Sequence, residues 1–280
     1  MFPPPVLRLP AAALLLTLAS CTAGKHASPV LKQVPTAASP AEPPPKAAAT
    51  PGPVPEQPGR SPLAFRTSVG GILIIGVSYD GRSHRIAVAD QEGGPGSKWA
   101  DAAAAAKPYG GVAAINGGFF TPEGKALGLV VSGGRKTGNV NRASSLGAGI
   151  FAEGSTPVLV RRERGSDSGE ILQSGPFLVE SGRSVPGLST KSSSARSFIA
   201  WDGASGWILA RTGSCSLSEL SSGLAGAEIG GVKKIESALN LDGGRSSDLW
   251  ISSAVQGGPL HERPLWNKPV RNFLVLIPRT

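Results

Sequence analysis

The chain has 280 residues, with 28 Lys and Arg against 19 Asp and Glu, a formal net charge of +9, and two cysteines. That length can bury a sizeable core in one large domain or two small ones, and two cysteines exclude a disulfide-built scaffold. The positive charge is spread out. Its one dense cluster, Arg161-Arg162-Glu163-Arg164, is interrupted by an acid and reads as a solvated strand end or loop. No aromatic residues interleave with basic ones, so nucleic acid is excluded as the expected partner.

Arg8 precedes an apolar run, Ala11 to Leu18, too short to span a bilayer and suited to the core of a signal peptide. It ends in Leu18-Ala19-Ser20-Cys21, which resembles a bacterial lipobox; the alternative is an ordinary signal peptide with a chance cysteine. The lipobox reading makes residues 1–20 a signal peptide and Cys21 the lipidated first residue of the mature chain. Thr22 stands where Asp would retain the protein at the inner membrane. The expected location is therefore the cell envelope, with a lipid anchor in the outer membrane. Residues 21–60 include Pro43-Pro44-Pro45 and Pro51-Gly52-Pro53 and no aromatic, a composition that favours an extended, disordered tether. One domain, residues 61–280, follows.

In that domain Ile72 to Ile75 and Arg85 to Ala89 read as strands around an Asp80-Gly81 turn. Ser97 is placed to cap a short helix through Ala102 to Ala106, closed by Lys107-Pro108. Val112 to Ile115 and Leu127 to Val131 are strands, and Gly134 to Leu146 is a polar loop. Gly149 to Ala152 pairs with Pro157 to Val160, and Ala195 to Trp201 pairs with Trp207 to Ala210 across Asp202-Gly203. Ser216-Leu217-Ser218-Glu219 has capping-box spacing and opens a helix to about Leu224. Leu249 to Ile251 and Phe273 to Ile277 close the domain. The expected fold is α+β: a single domain with a mixed, mostly antiparallel sheet and a few short helices. Cys215, beside Ser214 and Ser216, has no local base or cation to activate it and reads as a small buried residue.

Three strands end in polar-glycine breaks. Val112 to Ile115 runs into Asn116-Gly117-Gly118-Phe119-Phe120, and Leu172 runs into Gln173-Ser174-Gly175-Pro176. Ala238-Leu239-Asn240-Leu241 runs into Asp242-Gly243-Gly244-Arg245-Ser246-Ser247. A single Asp-Gly is a common turn. Several breaks that carry amides, hydroxyls and a carboxylate at strand tips point to one pocket, because glycine lets backbone N–H groups approach a ligand closely.

These motifs, with Arg196-Ser197-Phe198 and Asp202-Gly203, follow the order and spacing of the phosphodiester glycosidase family, which the chain resembles over roughly Ser61 to Arg279. Pro269-Val270-Arg271-Asn272 resembles the family's closing strand. The resemblance implies hydrolysis of a sugar-1-phosphodiester to a sugar and a phosphomonoester. No cluster has Cys/His metal-ligand spacing, so no metal and no cofactor are expected; the alternative is an oxygen-ligated cation at Asp242, for which one carboxylate makes a poor cage. Arg245 departs from the pattern, since many relatives carry a third glycine there; it either fills the pocket or adds a phosphate ligand.

The residues suit that chemistry. Ordinary glycosidases use two carboxylates because an alcohol leaves poorly, whereas a phosphodiester departs as a stabilised anion and needs positive charge around it. Arg196, with Arg245 or the N–H groups of Gly243 and Gly244, is placed to supply that charge. Asp242 is the candidate base or cation stabiliser. Asn116, Gly117, Gln173, Ser174, Asn240 and Ser246 are the expected substrate contacts. Glu123 is the runner-up acid, Glu236 and Asp248 read as exposed charges, and His84 and His261 have no assigned role. The alternatives are a non-catalytic glycan- or phosphate-binding lipoprotein that keeps the pocket, and a structural lipoprotein whose glycine breaks are only turns. The expected partners are a glycan or glycosyl phosphate and membrane lipid, and the expected state is a monomer.

Overall fold

The structure, a computed structural model, describes residues 59–280; the expected signal peptide, Cys21 and nearly all of the tether lie outside the described residues. Within the domain, strands covered on both faces set the architecture. Ile74 and Ile75 point to opposite sides and both are buried, as are Phe198 and Ile199, Ile208 and Leu209, and Ala87 and Val88. Successive side chains in a strand alternate between faces, so a strand with two covered faces reads as an unbroken apolar run.

Among the described residues three sheets form. The largest runs Leu63–Val69, Ile72–Asp80, Gly206–Cys215, Ser194–Trp201, Ser237–Asn240, Phe177–Glu180, Arg183–Ser184. The second runs Leu260–Glu262, Leu249–Ile251, Ala113–Asn116, Asn272–Pro278, His84–Asp90. The third runs Arg135–Thr137, Val130–Ser132, Glu170–Ser174, Gly149–Glu153, Val158–Arg161. Every ladder is antiparallel, and the one parallel pairing is an isolated bridge between Leu63 and Gln256. The antiparallel character and the few short helices are as expected, but three sheets stand where the sequence suggests a single mixed, mostly antiparallel one. Short apolar runs declare that they are strands but not which neighbour they pair with.

The first two sheets face each other across the main core, where Ile75, Ile199, Leu209 and Leu239 meet Val88, Ile115, Leu249 and Leu274; Phe151 and Leu172 bring in the third sheet. The helix Leu217–Leu224 covers the outer face of the seven-stranded sheet with Leu220 and Leu224, and its Ser216–Glu219 capping box forms as expected. The helix Ala102–Ala106 covers the outer face of the second sheet. Its cap is Asp101, whose carboxylate accepts from Ala104 N–H at 2.8 Å, and not Ser97. A capping side chain must stand immediately before the first helical residue to reach the orphan N–H groups, and Ser97 is too far upstream. No helix among the described residues is long and apolar enough to cross a membrane.

The third sheet joins the second through carboxylates. Strand His84–Asp90 is an edge, and an edge leaves N–H groups unpaired. Ile86 N–H donates to Glu153 at 2.8 Å and Val88 N–H to Glu170 at 2.7 Å. Burial pushes both carboxyl groups above their ordinary value, against the lowering effect of these hydrogen bonds. Asp80 is held down to about 2 by its hydrogen bonds with Arg82.

These shifts have opposite consequences for stability. A raised carboxyl binds its proton more tightly in the folded chain, so its contribution is fully present below the unfolded value of 4.5 and is lost as pH rises through the folded value. The contribution of Asp80 is present above 3.8 and is lost as pH falls towards about 2. Thermal unfolding followed by circular dichroism should therefore show a midpoint that holds or rises from about pH 7 to pH 5 and drops below about pH 4. Asp80→Asn should flatten the acid drop.

Candidate active site

Asn116 ends the central strand of the second sheet and is fully buried. Its Nδ2 donates to the carbonyl of Asp242 at 2.6 Å. Its Oδ1 accepts from the Ser197 hydroxyl at 2.7 Å and from Asp248 N–H at 3.1 Å. One amide therefore joins a strand tip of the second sheet, a strand of the first, and both ends of the turn that follows Ser237–Asn240. The adjoining glycines allow this junction to close. Asp242 N–H donates to Gly117 O at 3.0 Å, Gly117 N–H to Asn272 O at 2.8 Å, and Gly118 N–H to Asn272 Oδ1 at 2.8 Å. A Cβ on Gly117 would fall on Asn272 Oδ1, and one on Gly118 would stand 2.9 Å from Gln173 O.

Asp242 emerges from this junction half-buried. Its Oδ1 accepts from Gly243 N–H at 2.8 Å, and the Ser246 hydroxyl also bonds the carboxylate. Burial nevertheless dominates and pushes the carboxyl above its ordinary value. Gly244 turns the chain with φ +60°, a conformation that favours glycine. A Cβ on Gly243 would stand 2.9 Å from Ala195 O and 3.7 Å from Arg196 Cδ, so the turn lies directly against the start of strand Ser194–Trp201.

Arg196 is half-buried beside that turn. Its Nε donates to Cys215 O at 3.1 Å and its Nη2 to Ser192 O at 2.7 Å. Among the described residues it has no carboxylate partner, and its Nη1 makes no hydrogen bond. A guanidinium fixed by neutral carbonyls keeps its full charge for an anion. Gly244 N–H is likewise without a partner among the described residues, whereas Gly243 N–H is occupied by Asp242.

The remaining expected contacts divide into two groups. Asn240 is buried; its Nδ2 donates to Gly175 O at 3.1 Å and Leu241 O at 2.8 Å, while its Oδ1 accepts nothing. Ser246, also buried, faces Asp242. Asn116, Gln173 and Ser174 instead commit their side chains to the protein. Gln173 Oε1 accepts from Leu129 N–H at 2.9 Å and Asn141 N–H at 2.8 Å, and its Nε2 donates to Asn141 O at 2.9 Å and Gly147 O at 2.8 Å. Ser174 Oγ donates to Asn240 O at 2.8 Å. These three side chains position loops and do not reach out to a ligand. The loop that Gln173 holds walls a cavity of about 480 Å³ lined by Lys125, Asn139, Asn141, Arg142 and Arg271.

Several expectations are corrected. Arg245 does not fill the turn: it is exposed, and its Nε donates to Trp266 O at 2.9 Å. Asp248 is not an exposed charge. It is buried, accepts from Ala102 N–H at 3.0 Å and pairs with His261 Nε2 at 3.0 Å, because the chain there re-enters the second sheet beneath the helix. Glu123 is exposed, and its hydrogen bond with the Thr121 hydroxyl lowers its carboxyl, the opposite of a general acid's tuning. Glu236 is half-buried. Cys215, by contrast, is buried as expected, and burial raises its thiol.

Sequence reasoning missed Asn272 and Ser197, whose hydroxyl bonds Asn116 and also reaches that of Ser247 at 3.2 Å. Asn272 is buried, carries the Gly118 bond and has an Nδ2 without a partner; its place beside Arg271 in the closing strand was the available signal. Among the described residues no group of three or more His, Cys, Asp or Glu side chains comes together as a metal site.

A family model described as phosphodiester glycosidase matches residues 109–277, which contain all of these motifs. The catalytic domain of zebrafish N-acetylglucosamine-1-phosphodiester alpha-N-acetylglucosaminidase, auto-inhibited by its pro-peptide, superposes with a TM-score of 0.55 at 16% identity, over 78% of this chain and 83% of that one. A hypothetical protein from Synechocystis gives 0.51 at 16% identity, over 77% of this chain and 61% of that one. These likenesses show a shared fold. No curated protein matches the chain.

The amide junction makes a direct prediction. Asn116→Ala strands the Ser197 hydroxyl, the Asp248 N–H and the Asp242 carbonyl in a buried site, and should lower stability by roughly 2–4 kcal/mol in a denaturant titration. Ser197→Ala removes only one donor and should lower it by about 1 kcal/mol.

Proposed function

The chain belongs to the phosphodiester glycosidase family, and from that premise we propose that it hydrolyses glycosyl-1-phosphodiesters of envelope or extracellular glycans, releasing a sugar and a phosphomonoester. The observation that carries this reading is a carboxyl raised by burial, Asp242, on a turn that lies against an arginine with no acidic partner, Arg196.

Cleavage separates the anomeric carbon from a phosphate oxygen, with positive charge growing on the sugar and negative charge on the leaving phosphate. Arg196 Nη1 and Gly244 N–H supply the positive end of this gradient at the phosphate. The ionised Asp242 takes a proton from the water that attacks the anomeric carbon, and the bonding pair of the broken C–O bond leaves with the phosphate. Ser246 holds the carboxylate in place. A base tuned above the ordinary carboxylate range works closer to neutral pH than a free Asp. Export and a lipid anchor at Cys21 are part of the proposal, since they bring such an enzyme to envelope glycans, and the proposed state is a monomer.

The test uses the full chain with the methyl phosphodiester of GlcNAc-1-phosphate and with UDP-GlcNAc, following free sugar. The wild type should release sugar, with an acid limb in kcat/KM whose midpoint lies above the ordinary 3.8 of an Asp. Asp242→Asn should lose about 10²–10⁴ in rate and also melt higher, because it removes a charge that burial disfavours. Release unchanged in that variant would remove Asp242 from the mechanism. Tight binding of the diester without release by the wild type would favour the non-catalytic binding protein.

A further inference from the structure

Two large apolar side chains stand in the open next to the candidate site. Leu265 is 97% exposed and Trp266 is 77% exposed. Scattered exposed hydrophobic residues are ordinary, but adjacent ones displayed on a fixed loop call for a partner. The loop is built to hold them. Asn267 N–H donates to Pro264 O at 3.1 Å, and Arg263 reaches Asn267 Oδ1 at 2.9 Å and Asp101 at 3.0 Å. It is also tied to the Asp242 turn. Arg245 Nε donates to Trp266 O at 2.9 Å, Lys268 N–H donates to Arg245 O at 2.9 Å, and Asn267 Nδ2 donates to Arg245 O at 3.1 Å. Arg245 and Lys268 are both exposed beside the apolar pair.

We propose that Trp266 and Leu265 form a platform, flanked by Arg245 and Lys268, for the sugar units of an anionic glycan that extend beyond the cleaved phosphodiester. A flat indole offers an apolar face to the C–H side of a sugar ring, and the two cations match phosphates repeated along the chain. The hydrogen bonds to Arg245 make the platform continuous with the catalytic turn, which favours an extended substrate over a membrane surface. This rests on the phosphodiester reading of the site, but it is tested by binding alone.

The full chain is run in native gels cast with a poly(hexose 1-phosphate), and separately mixed with vesicles of phosphatidylcholine and phosphatidylglycerol. The wild type should be retarded by the polymer. Trp266→Ala should weaken that binding about tenfold, a typical loss for truncating an aromatic anchor. Leu265→Ala should weaken it less, and Trp266→Phe should restore most of it. All these side chains are exposed, so the melting temperature should not move. Equal retardation of the wild type and Trp266→Ala, or no retardation of either, overturns the platform. Trp266-dependent binding to vesicles without retardation by the polymer overturns it in favour of a membrane contact. Retardation without any sugar release leaves the platform standing and removes only the catalytic reading.

Discussion

The buried amide of Asn116 is the interaction on which the site depends. Its donor fixes the carbonyl of Asp242, and its acceptor holds Ser197 and the amide of Asp248. Each bond alone contributes on the order of 1 kcal/mol. Their joint effect is geometric. The tip of the second sheet, a strand of the first and the turn between them are locked together, and Asp242 is delivered by rigid backbone and not by a free loop. A site held this way can keep a carboxylate in a place that burial makes unfavourable, because the surrounding network over-determines its position.

Glycine makes this junction possible for two different reasons. Gly117, Gly118 and Gly243 are needed for close approach, since a Cβ would meet the side chain of Asn272, the carbonyl of Gln173 or that of Ala195. Gly244 is needed for its left-handed backbone. The result is a turn whose N–H groups are divided: Gly243 steadies Asp242, and Gly244 remains open. Arg196 completes the arrangement with a charge steadied only by carbonyl oxygens. Carboxylates do a second kind of work away from the site, where Glu153 and Glu170 cover the free edge of His84–Asp90.

Much of this was legible in the sequence. The apolar runs gave most strands, the Ser216–Glu219 spacing gave a helix start, and the three polar-glycine breaks marked strand tips that the fold brings near one another. What the sequence hid depends on pairing and on which way side chains face. Asp248 follows a polar run and reads as a loop charge, yet it lies under the Ala102–Ala106 helix. Gln173 and Asn116 have ligand-like chemistry, but their amides are saturated by backbone groups and the Ser197 hydroxyl, which only the folded chain brings to them. Edge strands such as Leu63–Val69 and Leu260–Glu262 escaped notice because half-exposed strands carry no apolar run.

The central claim is that the bond broken is the one between the anomeric carbon and the phosphate oxygen, with Asp242 activating water. Hydrolysis of a GlcNAc-1-phosphodiester in ¹⁸O-labelled water, with both products analysed by mass spectrometry, tests it most directly. Label is expected in the released sugar and none in the phosphomonoester, with incorporation falling in step with the rate in Asp242→Asn. Label in the phosphate would mean attack at phosphorus and would contradict it.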